Sequence, residues 1–339
     1  MAVTIKDIAR EVGRSVTTVS RALAGYDDVS PETRRRVIQV AQELGYEPNI
    51  TARQLQKRRT DTLALIWPST SLQFSDPFFC EFLSGIVDET IQHGFDLLVS
   101  TRTPSEDETE RYLKYIRSRR VDGFIVVRTL RQDPRIDLLR EHDYPFVAFG
   151  RVEGDNNFPF VDEDGEYGIR QVVNHLIELG HTRLACIAEP TRLTKAYNRV
   201  QGFCSAMKAH GLAINGDCVV EGGFRQKSGH LIGKEFLEME NPPTALVAVN
   251  DLLALGAMSA AQERGLVIGE DVSITGFDDI ILAEYVHPSL TTVHQPAHHF
   301  GTMVCKMLVK LIKGEVIEEE QIIIKPELIV RQSTGPVRR

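Results

Sequence analysis

Apolar residues recur at helical intervals near the start of the chain. Ile5, Ile8, Ala9 and Val12 stand at i, i+3, i+4 and i+7, which is one face of a helix. Thr4, followed three positions later by Asp7, resembles a capping box at its beginning. Gly13-Arg14-Ser15 breaks the pattern, and Val19, Ala22 and Leu23 open a second apolar stripe. A third helix is predicted from Ser30 as N-cap and Pro31 at its first position, through Val37, Val40, Ala41 and Leu44, to a stop at Gly45 with Pro48 beyond. These helices make a compact bundle whose second helix is free to dock.

From Thr62 the pattern changes. Short apolar runs alternate with amphipathic segments: Leu63–Trp67, Leu97–Ser100, Phe124–Val127, Phe146–Phe149, Leu184–Ala188, Val219–Glu221, Ala245–Val249 and Val272–Gly276. Runs of that kind, separated by helices, predict parallel sheets. One intervening helix enters through Asp76-Pro77 and closes at Gly94; another runs from Asp164 to Leu179 and ends at Gly180. So many units exceed one sheet and divide naturally into two lobes, with a crossing placed near Phe160–Glu163 and return crossings near Thr291–Gln295 and Lys325.

Charge sharpens the division. The chain carries a net charge of −8, yet residues 1–60 hold eleven Lys and Arg against seven Asp and Glu, so a basic head precedes an acidic body. The cysteines Cys80, Cys186, Cys204, Cys218 and Cys305 show no metal or disulfide spacing, and reduced thiols are expected. No cofactor and no bound metal are predicted; the Gly180-His181 pair reads as a helix stop and turn. The amino terminus has no apolar core of a signal peptide, and the longest stretch free of charge, Tyr285 to Cys305, holds His and Pro and cannot span a membrane. A cytoplasmic protein is expected.

On the second helix the outward residues Ser15, Val16, Thr17, Thr18, Ser20 and Arg21 suit a DNA major groove. Arginine forks onto guanine, hydroxyls meet phosphates or bases, and valine touches a thymine methyl. In the body, ligands of wound sheets bind beyond the carboxyl ends of strands. That rule selects Arg128, Arg151, Asn250, Asp251 and Asp278, with Asp251 read as the N-cap of its helix. Planar polar groups pair with sugar hydroxyls, and Phe78, Phe79 or Phe224 can stack on a sugar's apolar face; helix geometry splits Phe78 from Phe79 and sends at least one ring to the core. Arg128 and Arg151 serve equally well as interlobe ion-pair partners. Nucleotide-binding glycine loops and the nucleophile elbow of hydrolases are missing, and no enzyme activity is expected.

The motifs together resemble the lactose-repressor/galactose-repressor (LacI/GalR) family. They are T-I-K-D-I-A-R-E-V-G at 4–13, S-V-T-T-V-S-R-A-L at 15–23, V-S-P-E-T-R-R-R-V at 29–37 and L-G-Y-E-P-N at 44–49, then D-P-F-F at 76–79, R-V-Q-G-F at 199–203, V-N-D-L-L-A-L-G-A at 249–257, G-F-D-D at 276–279 and L-T-T-V-H-Q-P at 290–296. Arg14 departs from the family, which has a small apolar residue there. The resemblance implies a small all-α helix-turn-helix DNA-binding domain at 1–48, a hinge helix and linker at 49–61, and an α/β two-lobed periplasmic-binding-protein-like domain with parallel sheets at 62–333. Its lobes would cover 62–161 with 293–324, and 162–290 with 325–333. Leu55 would be a wedge in the minor groove or would pack on the body. Asn250 and Asp278 would exchange hydrogen bonds with a ligand, Arg199 would hold it, and Phe224 would form the aromatic floor. The implied partners are a near-palindromic double-stranded operator, a small effector and a second copy of the chain in a homodimer; the tail lacks the leucine heptad of a tetramer. The implied activity is transcriptional repression. R-T-L-R-Q-D-P-R at 128–135 with P-F-V-A-F-G-R at 145–151 resembles regulators of α-glucoside and raffinose-type oligosaccharide use, against the alternative of a purine or phosphoprotein corepressor.

Overall fold

The computed structural model describes residues 3–23, 25–46, 59–68, 76–102, 107, 109–214 and 216–338. The hinge segment 49–56, with Leu55, lies outside the described residues, as do Lys57 and Arg58. The chain divides into two compact units, Met1–Thr60 and Asp61–Arg339.

The first unit holds α1 (Ile5–Val12), α2 (Val16–Leu23) and α3 (Pro31–Glu43). Thr4 and Asp7 form the reciprocal capping box at the start of α1, and Gly13 ends it in the left-handed region at φ 65°. Ser30 accepts from Thr33 N at the start of α3. Ile8, Ala9, Val19, Ala22, Val29, Val37, Val40 and Ala41 form the core, so the apolar stripe of each helix faces inward.

The second unit begins with β1 (Thr62–Pro68), α4 (Pro77–His93), β2 (Asp96–Arg102), α5 (Glu110–Ser118), β3 (Gly123–Val127), α6 (Pro134–Glu141), β4 (Phe146–Phe149) and β5 (Phe160–Glu163). There follow α7 (Gly165–Glu178), β6 (Leu184–Ala188), α8 (Thr194–Ala209), β7 (Val219–Glu221), α9 (Gln226–Leu237), β8 (Ala245–Ala248), α10 (Asp251–Glu263) and β9 (Ser273–Thr275). The last elements are α11 (Ile281–Tyr285), β10 (Thr292–His294), α12 (Ala297–Lys313), β11 (Gln321–Ile324) and β12 (Glu327–Ile329).

Two parallel sheets result. One has the order β11-β5-β4-β3-β1-β2 and the other β7-β6-β8-β9. Leu63, Ala64 and Leu65 on β1, and Leu246 and Val247 on β8, are fully buried, as expected for strands covered on both faces. Phe160–Glu163 is a strand of the first sheet, and the chain crosses between sheets after it. β10 and β12 pair antiparallel between the sheets. In each lobe two helices touch backbone to backbone through glycine: a Cβ at Gly85 on α4 would sit 2.0 Å from His298 O on α12, and one at Gly229 on α9 would sit 2.0 Å from Leu253 O on α10. Any side chain there would push the helices apart.

Candidate DNA-reading face and effector cleft

Helix α2 turns Val16, Thr17 and Arg21 to solvent, with Val16 42% exposed. Val19 and Ala22 anchor its other face in the core. Ser15 Oγ accepts from Thr18 N at 3.0 Å and lies 2.8 Å from Thr18 Oγ1, so these two hydroxyls cap the helix before they meet anything else. Arg21 donates through Nε to Asp28 at 3.1 Å and lies 5.1 Å from the Tyr26 ring centre. Both members of that ion pair are about half exposed, where such a pair is worth little, and the guanidinium can leave it for a base edge.

In the body a cleft between the lobes collects groups from both sheets. Trp67, Phe79, Arg128, Phe149 and Asp162 come from the first lobe, and Glu189, Lys195, Phe224 and Leu252 from the second. Arg128 crosses the cleft: its guanidinium carbon lies 3.8 Å from the Phe224 ring centre and 5.9 Å from that of Trp67. The backbone of Arg128 is left-handed at φ 54°, a conformation costly for a bulky side chain. Arg135 holds that turn by donating to Val127 O at 3.2 Å and Arg128 O at 3.0 Å while paired with buried Asp133. The remaining inner space is about 70 Å³, room for two or three waters at ~30 Å³ each.

The wall of the cleft is a buried ionic network. Arg199, 1% exposed, donates to Glu163 Oε1 at 2.7 Å and Val249 O at 2.7 Å, and lies 3.5 Å from Asp278 Oδ1. Asn250 caps α10 by accepting from Leu253 N at 2.7 Å and donates to Glu189 Oε1 at 2.6 Å. Burial pulls against each charge, but Arg199 holds Glu163 below the usual carboxylate range. Asp162, beside it, is pushed up to about 8 by burial and by the charge of Glu163, despite its contact with Arg151. Asp278 is raised well above its ordinary value by burial. Gln295 donates to Asp278 at 2.7 Å, and both face an outer chamber of about 510 Å³ with Phe78, His294 and Arg331.

A third strand-like contact closes the cleft away from the chain crossings. Leu130 and Leu193 form an antiparallel bridge, with Arg131 N donating to Arg192 O and Thr194 N to Thr129 O, each at 3.0 Å. Loop 129–131 of one lobe is thereby zipped to loop 192–194 of the other.

The description "Bacterial regulatory proteins, lacI family" matches residues 4–49, and that of the periplasmic binding protein-like domain matches residues 173–334. The HTH-type transcriptional regulator AglR of Rhizobium meliloti (strain 1021) is 35% identical over 340 residues, 99% of this chain and 95% of AglR. CytR of Escherichia coli (strain K12), an HTH-type transcriptional repressor, is 32% identical over 98% of this chain and 96% of its own. The chain belongs to the LacI family. The lac repressor dimer bound to operator and the anti-inducer ONPF superimposes with a TM-score of 0.87 at 27% identity, covering 99% of this chain and 100% of the other. A CelR–cellobiose complex gives 0.75 at 34% identity, covering 98% and 99%.

In this LacI-family regulator the sequence-selected residues do not share one surface. Phe79, Arg128 and Phe224 line the inner cleft, and Asp278 faces the outer chamber. Arg199 and Asn250 stand in the wall, their polar atoms engaged by protein partners. Phe79 is 3% exposed and packs on Trp67 at 3.7 Å, so its ring is mainly core. Arg151 is a correction: its Nε pairs with Asp162 at 2.6 Å, and the side chain lines a separate cavity. Asp251 is another, since Asn250 is the N-cap and the Asp251 carboxylate instead holds Ile280 N at 2.8 Å and Thr292 Oγ1. His181 is buried against Thr244, Ser273 and Gly335 O. Glu163, Glu189, Asp162, Lys195, Trp67 and Gln295 were missed. Glu189 directly follows β6, so the strand-end rule applied there would have found it; Glu163 closes a strand that its sequence does not announce. Among the described residues no His, Cys, Asp and Glu group could hold a metal, and no helix is long and apolar enough to cross a membrane.

Proposed function

We propose that this LacI-family regulator binds a near-palindromic operator as a homodimer, through Val16, Thr17 and Arg21 of α2, and that a neutral sugar, an α-glucoside or other short oligosaccharide, sets its operator affinity from the interlobe cleft. The observation that carries the effector reading is the cleft itself. An aromatic ring, Phe224, faces a close-set lining of carboxylates and cations that nearly balance: Asp76, Asp162, Glu163 and Glu189 against Arg128, Lys195 and Arg225. Such a lining offers both donors and acceptors to hydroxyls without favouring a net charge, and a ring for the apolar face of a pyranose. A sugar reaches Phe224 by replacing the Arg128 guanidinium on it, and Arg128 is then placed to donate to the sugar. The CelR–cellobiose complex among the similar structures supports the same class of ligand.

The sugar shifts operator affinity by its differential affinity for two states of the body, and coupling of about 1–3 kcal/mol is ordinary. Reciprocity supplies the test. Cellobiose, maltose, melibiose, raffinose and a panel of nucleobases are first screened by thermal shift, and the binder is titrated calorimetrically with and without operator. The expected result is a sugar whose affinity changes by the factor, about 5- to 150-fold, by which it changes operator affinity. Equal sugar affinities in the two titrations refute the allosteric reading, and stabilisation by a nucleobase alone refutes the sugar.

A further inference from the structure

Arg151 and Arg131 lead to a second cavity, separate from the cleft. It measures about 140 Å³ and is lined by Arg131, Arg151, Val152, Glu153 and Asn156 of the first lobe with Thr194, Tyr197 and Asn198 of the second. We propose that this cavity binds a small oxyanion, phosphate or the phosphate group of an ester, through Arg151, Thr194 and the amino-terminal turn of α8.

The unused polar groups around it are donors. Thr194 is 5% exposed, and its Oγ1 is buried with no partner among the described residues; the Nε of Arg131 is likewise buried without one. Arg151 spends its Nε on Asp162, and its two terminal nitrogens make no hydrogen bond among the described residues. Helix α8 is sixteen residues long, and its N-cap, Leu193, has no side-chain acceptor, so first-turn N–H groups and the positive end of the dipole border the cavity without a cap. The acceptors, by contrast, are already in use. Asn156 exchanges hydrogen bonds with Val152 and donates to Gly154 O, while Glu153 is held by Arg131 at 2.9 Å. The Tyr197 ring, which a sugar could stack on, is covered by Arg131 with its guanidinium carbon 4.0 Å from the ring centre. A site rich in free donors and poor in free acceptors selects an anion over a polyol. The raised Asp162 carboxyl works in the same direction, because a protonated partner leaves the Arg151 charge uncompensated. Since the lining comes from both lobes, an anion here ties them together on the side where loops 129–131 and 192–194 already meet.

The test is calorimetry, supported by phosphorus NMR, on the full chain with inorganic phosphate and with a hexose monophosphate, at ionic strength held constant with chloride. Saturable binding of inorganic phosphate is expected. It should weaken about tenfold or more in Arg151→Gln and about three- to tenfold in Thr194→Val, the latter keeping shape and fold, while Phe224→Ala binds phosphate as before. A hexose monophosphate that binds no more tightly than phosphate identifies a free oxyanion as the ligand. One that binds more tightly, with the gain lost in Phe224→Ala, identifies an ester reaching into the cleft. Absence of saturation up to about 20 mM phosphate, or saturable binding indifferent to both Arg151→Gln and Thr194→Val, overturns the proposal.

Discussion

The DNA-reading face of α2 and the wall of the effector cleft both depend on arginine, and they hold it in opposite ways. Arg21 stands half exposed in a pair with Asp28 that water and salt weaken. Arg199 is enclosed, with Glu163, Asp278 and a main-chain carbonyl fixing its fork. A polyanion supplies its own field and can recruit a loosely tethered guanidinium. A neutral sugar has no such field, so groups that recognise it must be aimed in advance, and aiming a buried charge requires buried partners. The two sites therefore trade stability against readiness in different proportions.

Truncation breaks this comparison most sharply. Arg199→Ala leaves Glu163 buried without its main counter-charge and should destabilise the body by about 3–5 kcal/mol, read as a lower melting temperature and denaturant midpoint. If the variant melts with the parent, the wall is not a structural network. Arg21→Ala should leave melting unchanged and instead cost ~1–3 kcal/mol of operator binding, relaxing specificity at one base position per half-site; an unchanged consensus in binding-site selection would remove Arg21 from the reading face. The smallest effect concerns protonation. Asp162 has its folded value raised to about 8, against about 4 when unfolded, so the folded state binds the extra proton between those limits. Its contribution is complete at the acidic end and is lost as pH rises toward 8. Asp162→Asn should flatten that decline in melting temperature between about pH 5 and 8, and an unaltered pH profile would show that Asp162 ionises normally.

The same contrast governs what could be read from the chain. The helices of the first unit are encoded locally, by apolar stripes and by caps such as Thr4 with Asp7 and Ser30 with Thr33, so neighbours in sequence determine them. The apolar strands of the sheets were equally plain. β10 and β12 are three residues each, and β11 alternates exposed and half-buried positions, too little pattern to announce a strand. In the cleft, the rule of polar groups beyond strand ends found Arg128 and Asp278. It could not tell which would face a ligand, because that is decided by distant partners: Glu163 lies 36 residues from Arg199, Glu189 lies 61 from Asn250, and Asp278 lies 79 from Arg199. Arg151 was misplaced for this reason, since Asp162 turns it out of the cleft.

The bridge between Leu130 and Leu193 has a consequence in time as well as in energy. It joins the lobes at a point remote from the chain crossings, so a bound molecule cannot leave by hinge motion alone; two main-chain hydrogen bonds must also break. Gating of that kind slows entry and exit together and leaves the ratio of the two rates, and hence affinity, largely untouched. The Leu130–Leu193 bridge thus acts as a clock on the regulator: it sets how long the molecule goes on answering to an effector after the surrounding concentration has fallen.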